Sequence, residues 1–108
     1  PWYVYGKNIS KNEIYVCQGV DNQLLYTENI TLDKIHWIND LKEFKHLDCL
    51  VQIRHRHKPV KCIIEFNKGF RVMFDEEIRG VAPGQSAVFY KDNLCLGGGV
   101  IEARNNDL

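Results

Sequence analysis

The run Val60-Lys61-Cys62-Ile63-Ile64-Glu65-Phe66, the turn Asn67-Lys68-Gly69 and the run Phe70-Arg71-Val72-Met73-Phe74 decide how this chain is read. Side chains alternate across a strand, so Val60, Cys62, Ile64 and Phe66 share one side while Lys61 and Glu65 share the other. After the turn, Phe70, Val72 and Phe74 oppose Arg71 and Asp75. Both runs therefore lay one face on a core and show the other to water, and the Asn-Lys-Gly between them supplies the turn of a hairpin.

The same pattern extends in both directions. Residues 28–38, 48–57, 86–90 and 94–104 are further β-rich runs, set off by Asn39-Asp40, Lys58-Pro59, Ala82-Pro83-Gly84 and Lys91-Asp92-Asn93. Six short strands at intervals of roughly ten residues indicate an all-β barrel or sandwich, and closure into a small six-stranded antiparallel barrel removes most of the sheet edges an open form would expose. Upstream, residues 2–5 and 14–18 flank Lys7-Asn8-Ile9-Ser10-Lys11-Asn12 and read as a separate hairpin. Asp21-Asn22-Gln23-Leu24-Leu25-Tyr26 reads as a turn or a single helical turn. A boundary placed there divides the chain into residues 1–27, a hairpin and linker, and residues 28–108, the barrel.

Composition bounds the function. The chain has 108 residues, with 14 Lys and Arg against 14 Asp and Glu, 44% hydrophobic and 26% charged side chains. A chain of this size buries roughly two-thirds of its unfolded surface, enough for one core and too little for a second catalytic lobe. Zero net charge excludes a polybasic protein that coats nucleic acid, so any such contact is local. No apolar run approaches the ~20 residues that span a bilayer. The chain opens on Pro1-Trp2-Tyr3-Val4, and Met73 is its single methionine, which reads as a piece of a longer protein.

Cys17, Cys49, Cys62 and Cys95 form no C-x-x-C pair, and no His stands at zinc-finger spacing, so no metal site is expected. Each lies among β-branched or aromatic residues, where a buried reduced thiol acts as a small apolar side chain; disulfide pairing stays open as the alternative.

Residues 51–61 are the most polarised segment. Arg54, Arg56, Lys58 and Lys61 fall between Cys49 and Ile64 with no acid among them. On a strand Arg54 and Arg56 project from one side roughly 7 Å apart, near the spacing of successive phosphates, and His55 is placed to stack on a base or donate to a phosphate. A solvated edge strand protected by charge explains the same residues. Pro83-Gly84 suits the centre of a type II turn, from which Gln85 emerges with an amide that donates and accepts. Gly97-Gly98-Gly99 lacks the G-K-[ST] of a phosphate loop and fits a bulge where the last strand closes the barrel. Asp75-Glu76-Glu77 reads as solvent-facing carboxylates, and His36 as the rim neighbour of a core Trp37. No catalytic residue is assigned.

Taken together, Pro1-Trp2-Tyr3-Val4, Ile35-His36-Trp37-Ile38, residues 49–56, Phe74-Asp75-Glu76, Pro83-Gly84-Gln85-Ser86-Ala87-Val88-Phe89-Tyr90 and Cys95-Leu96-Gly97-Gly98-Gly99-Val100-Ile101 resemble the carboxyl-terminal part of the bacterial tRNA-specific 2-thiouridylase family. The resemblance implies a barrel related to those of aminomethyltransferases and elongation-factor domains, with residues 1–27 the end of a central domain. It implies a cytoplasmic enzyme, without a membrane, that uses ATP to replace the 2-oxygen of the wobble uridine with sulfur. Its ATP-binding loop and two catalytic cysteines lie upstream, none of the four cysteines here matches them, and no cofactor is expected in this chain. By the same resemblance Arg54, His55 and Gln85 contact tRNA near its anticodon arm, with His55 standing where the family commonly has an aromatic residue. Arg56 and Lys58 are additional phosphate candidates. The implied partners are tRNA, the amino-terminal catalytic and central domains of the same chain, and a sulfur-carrier protein. Two other readings remain: a purely structural brace between domains, and an independent ligand- or protein-binding barrel.

Overall fold

A computed structural model describes residues 1–38, 45–53, 58–66 and 69–104. Alternation produces strands β1 (Trp2–Asn8), β2 (Glu13–Gln18), β3 (Tyr26–Trp37), β4 (His46–Gln52), β5 (Val60–Phe66), β6 (Phe70–Arg79), β7 (Ser86–Lys91) and β8 (Leu94–Arg104). β1 and β2 pair only with each other, while the rest close into an antiparallel barrel in the order β3-β6-β5-β4-β7-β8. β4, β5 and β6 are hairpin neighbours, and β3 returns beside β6, which is a Greek-key connection. Because β3 pairs with β6 on one side and β8 on the other, the barrel has no free edge.

The inward faces match the alternation. Leu47, Cys49 and Val51 of β4, Cys62 and Ile64 of β5, Val72 and Phe74 of β6, and Ala87 and Phe89 of β7 share one buried core with Ile30, Leu32 and Ile101. At one end of the barrel Trp37 packs on Phe66, Phe70 and Phe89 at ring-centroid distances of 6.3, 5.6 and 5.5 Å, and Phe66 meets Phe70 edge-on at 4.8 Å. Tilted and edge-on rings are the favoured arrangement. Trp37 is thus half-buried against one end of the core, while its neighbour His36 is exposed.

Turn chemistry acts where it was read. Asp92 and Asn93, at φ 51° and 67°, form a two-residue turn between Lys91 and its partner Leu94, the geometry that matches strand twist. Gly97, Gly98 and Gly99 lie in the middle of β8, where Gly97 pairs with both Phe89 and Trp37 and Gly98 with both Val88 and His36. A Cβ on Gly97, at φ +138°, would strike the His36 carbonyl oxygen, and one on Gly98 would lie 2.5 Å from the Ala87 carbonyl oxygen. These glycines therefore permit close backbone approach at the closing seam.

Three expectations change. Pairing of β4 begins at His46 and ends at Gln52 rather than covering 48–57, and residues 54–57 lie outside the described ones. β6 continues past Phe74 to Arg79, because the register slips between Thr27–Ile78 and Asn29–Met73 and lets Asp75, Glu76 and Glu77 turn outward while the strand resumes its pairing. Cys17, Cys49 and Cys62 are buried, but Cys95 is exposed, one residue beyond the β7–β8 turn.

The hairpin and linker are tied to the opposite end of the barrel from Trp37. Asn22 caps the 3-10 turn Gln23–Leu25 by accepting from the Leu24 N–H at 2.9 Å, which sets Leu25 in a buried position. Arg79 donates from Nε to the Val20 carbonyl at 2.9 Å and lies over the Tyr3 ring at 5.5 Å. Arg104 is 1% exposed, and its Nη1 faces the carbonyls of Leu24 and Val81, each at 3.4 Å. It points inward because the β3–β8 register slips between Thr31–Ala103 and Leu32–Ile101, which resets the alternation after Ile101. Trp2, Val4 and Ile14 of the hairpin remain 65%, 63% and 68% exposed.

Adding a Cβ at Gly98 forces backbone apart at the seam, so Gly98→Ala is expected to lower stability by about 1–3 kcal/mol, measured by urea unfolding. Arg104→Ala leaves the Leu24 and Val81 carbonyls short of a donor and costs about 1–3 kcal/mol. Hydrogen exchange should then quicken in β1 and β2 more than in the barrel.

Candidate nucleic-acid interface

The antiparallel register gathers one set of strand ends. β4 ends at Gln52, β5 begins at Val60 beside Val51, and Gln52 pairs with Val88 near the start of β7. The turn that leads into β7 therefore stands beside the point where the chain leaves β4 toward the basic segment. Tyr26 pairs with Arg79 at this same end, which is also where the hairpin docks.

The turn itself is built as its residues dictate. The Gln85 N–H donates to the Ala82 carbonyl at 3.3 Å across Pro83 and Gly84, and Gly84 has φ +92°, the left-handed value the third position of a type II turn needs. Gly84 and Ile101 then fasten the turn to β8, through Gly84 N–H to Ile101 C=O and Ile101 N–H to Gln85 C=O, both 2.8 Å. The Gln85 side chain folds back under the turn. Its Oε1 accepts from the Ala82 N–H at 3.0 Å and its Nε2 faces the Gly80 carbonyl at 3.4 Å. An amide has two donor hydrogens and two acceptor lone pairs, so these two bonds use half of its capacity. Gln85 also lines a crevice of about 380 Å³ between hairpin and barrel, shared with Tyr3, Lys7, Arg79 and Arg104.

Of the other residues singled out, Arg54, His55 and Arg56 lie outside the described residues. Lys58 is exposed and lines an open groove of about 740 Å³ with Lys61, Leu50, Asp75 and Glu76. The stretch from Cys49 to Ile64 carries no acid in sequence, but β6 brings two carboxylates beside its lysines. A phosphate approaching Lys58 therefore meets a field of both signs.

Among the described residues no three His, Cys, Asp or Glu side chains are grouped to hold a metal ion, and no helix is long and apolar enough to cross a membrane. The Asp75-Glu76-Glu77 carboxylates lie exposed on the outer wall of β6. Arg79 and Arg104, which shape the crevice, escaped the sequence reading. Only the parity slip after Ile101 turns Arg104 inward, and a two-residue alternation carries no sign of it.

A closed six-stranded antiparallel barrel with this seam defines a recognisable class of domain. The family model described as the aminomethyltransferase beta-barrel domain matches residues 27–101, and the chain belongs to that family. More particularly, it is similar to the tRNA-specific 2-thiouridylase MnmA of Idiomarina loihiensis, at 39% identity over 99% of this chain and 29% of that protein. The protein of the same name from Buchnera aphidicola subsp. Baizongia pistaciae is 41% identical over 96% of this chain and 29% of its own length. That from Pseudomonas aeruginosa is 41% identical over 94% and 28%. The chain thus spans under a third of the length of the curated relatives it matches, in their C-terminal part.

Because the Gln85 amide holds the turn, Gln85→Ala should lower stability by about 1 kcal/mol in urea unfolding, with the slope unchanged. Gln85→Glu keeps an acceptor for the Ala82 N–H but sets a second oxygen against the Gly80 carbonyl, so it should not restore full stability.

Proposed function

We propose that this chain is the tRNA-docking part of an ATP-dependent enzyme that places sulfur at the 2-position of the wobble uridine. The observation that carries the reading is the placement, at one end of the barrel, of the Gln85 turn beside the strand end that leads into Arg54, His55 and Arg56. Likeness to proteins named tRNA-specific 2-thiouridylase supports it.

In this reading the barrel does no chemistry. Arg54 grips a backbone phosphate, bidentate and charge-assisted, while His55 stacks on a base or donates to a phosphate. Gln85 offers the remaining capacity of its amide to sugar or base, from a turn already fixed by hydrogen bonds. Arg56 and Lys58 add phosphate contacts that position without reading sequence. Docking the anticodon arm here lets the wobble base leave its stack and enter a catalytic pocket elsewhere in the longer protein. ATP, the catalytic cysteines and the contact with a sulfur-carrier protein belong to that remainder, and the setting is the cytoplasm. Residues 1–27 are the end of a central domain in this reading; the exposed Trp2, Val4 and Ile14 support it as apolar surface that the rest of such a domain would cover.

A structural brace is the second reading. It is favoured by the two arginines that tie hairpin to barrel and by the backbone bonds that occupy half of the Gln85 amide.

In the full-length enzyme, Arg54→Ala and Gln85→Ala should each weaken tRNA binding roughly tenfold while ATP binding is unchanged. Arg54→Ala should also flatten the dependence of log affinity on log salt by about one unit of slope. Unchanged tRNA affinity in both variants rejects the docking role and leaves the brace.

A further inference from the structure

Cys49 of β4 and Cys62 of β5 are directly opposed in the antiparallel register, and both face the barrel core. Their Sγ atoms are 3.7 Å apart, as free thiols. Directly opposed residues of antiparallel strands have Cα atoms about 4.5–5.5 Å apart, within the 4.4–6.8 Å span that a disulfide bridges. Reaching the bond length of about 2.05 Å takes side-chain rotation and leaves the strands in place. The other two cysteines are not so arranged: Cys17 belongs to the hairpin, and Cys95 is exposed on β8.

We propose that Cys49 and Cys62 are an oxidation site in the barrel wall, which a hydroperoxide converts into a reversible disulfide within the chain. The burial of the pair sets the class of oxidant. With Cys49 8% and Cys62 2% exposed, a bulky disulfide has no approach, whereas hydrogen peroxide is small and uncharged. Cys49, the less buried of the two and so the one a peroxide reaches first, is the attacking sulfur. The hydrogen bond it shares with Cys62 holds the Cys49 thiol below the ordinary range against the opposing effect of burial, with a further lowering from the charge of Lys91, whose Nζ donates to the Asp48 carbonyl at 3.0 Å. The hydrogen bond with Cys49, and then burial, push the Cys62 thiol up.

In the first step the Cys49 thiolate attacks one peroxide oxygen, the O–O bond breaks, and the departing hydroxide takes up a proton to leave as water. Cys49 becomes a sulfenic acid. The Cys62 sulfur then attacks the Cys49 sulfur, the S–O bond breaks, and hydroxide leaves with the Cys62 proton as a second water. Both sulfurs are oxidised by one electron each and both peroxide oxygens are reduced. The ring so closed contains residues 50–61, and with them Arg54, His55 and Arg56. The proposal rests on the opposed thiols alone and is independent of RNA binding.

The test is to treat the reduced, folded protein with hydrogen peroxide, alkylate the remaining thiols, and map tryptic peptides without reductant. The expected product joins the peptide of residues 46–54 to that of residues 62–68, is two hydrogens lighter than the reduced pair, and reverts with dithiothreitol. It should form equally in Cys95→Ser, whose exposed position keeps the fold intact. Alkylated Cys49 and Cys62 in a sample whose Cys95 is oxidised would overturn the proposal. So would a link from Cys49 to any other cysteine, or a 49–62 link that disappears in Cys95→Ser.

Discussion

Everything in the barrel depends on β3 finding partners on both of its edges. Its first half, Tyr26 to Leu32, pairs with β6 and its second half, Ile30 to Trp37, pairs with β8, and that double pairing turns six strands into a closed wall. Closure makes every inward side chain converge on one axis, where the small Cys49, Cys62 and Ala87 leave room for larger residues such as Phe74, Phe89 and Ile101. It also makes the seam intolerant of added side chains at Gly97 and Gly98. At Gly97 and Gly98 three strands press together with no room for a side chain on β8, while Trp37 and Phe89 pack against each other beside them.

The two ends of the barrel are consequently different materials. One is an aromatic floor; the other collects turns, carbonyls and cations, with Arg79 and Arg104 bridging to the hairpin and Gln85 locking the turn before β7. A polar end that is already cross-bonded presents its donors in fixed directions, and fixed donors lose little freedom when a ligand arrives. Rigidity and recognition are therefore compatible uses of the same Gln85 amide.

The strands were legible because two-residue alternation survives wherever a strand has one wet and one dry face, as between Val60 and Phe74. The turn residues Pro83-Gly84 and Asp92-Asn93 announced their geometry for steric reasons, and the glycines of β8 announced the seam. What escaped detection follows from irregular register. The slip opposite Asp75, Glu76 and Glu77 carries β6 five residues beyond its apparent end, and the slip at Glu102 points Arg104 inward. Charge neighbours were hidden for a related reason: Asp75 and Glu76 of β6 line one groove with Lys58 and Lys61, and only pairing reveals such neighbours. The opposition of Cys49 to Cys62 was hidden likewise, since their separation along the chain has no meaning until the hairpin register is known.

The position of β8 in the barrel also constrains how the molecule is made. β3 emerges first among the barrel strands, yet one of its two partners is the last, and the glycine seam lies in that final strand. During synthesis β3 to β7 must therefore wait as a curved sheet with two open edges. Long-range pairing of this kind is slow, and unpaired edges invite other chains. Shielding during translation thus matters most in the interval before residues 94–104 leave the ribosome.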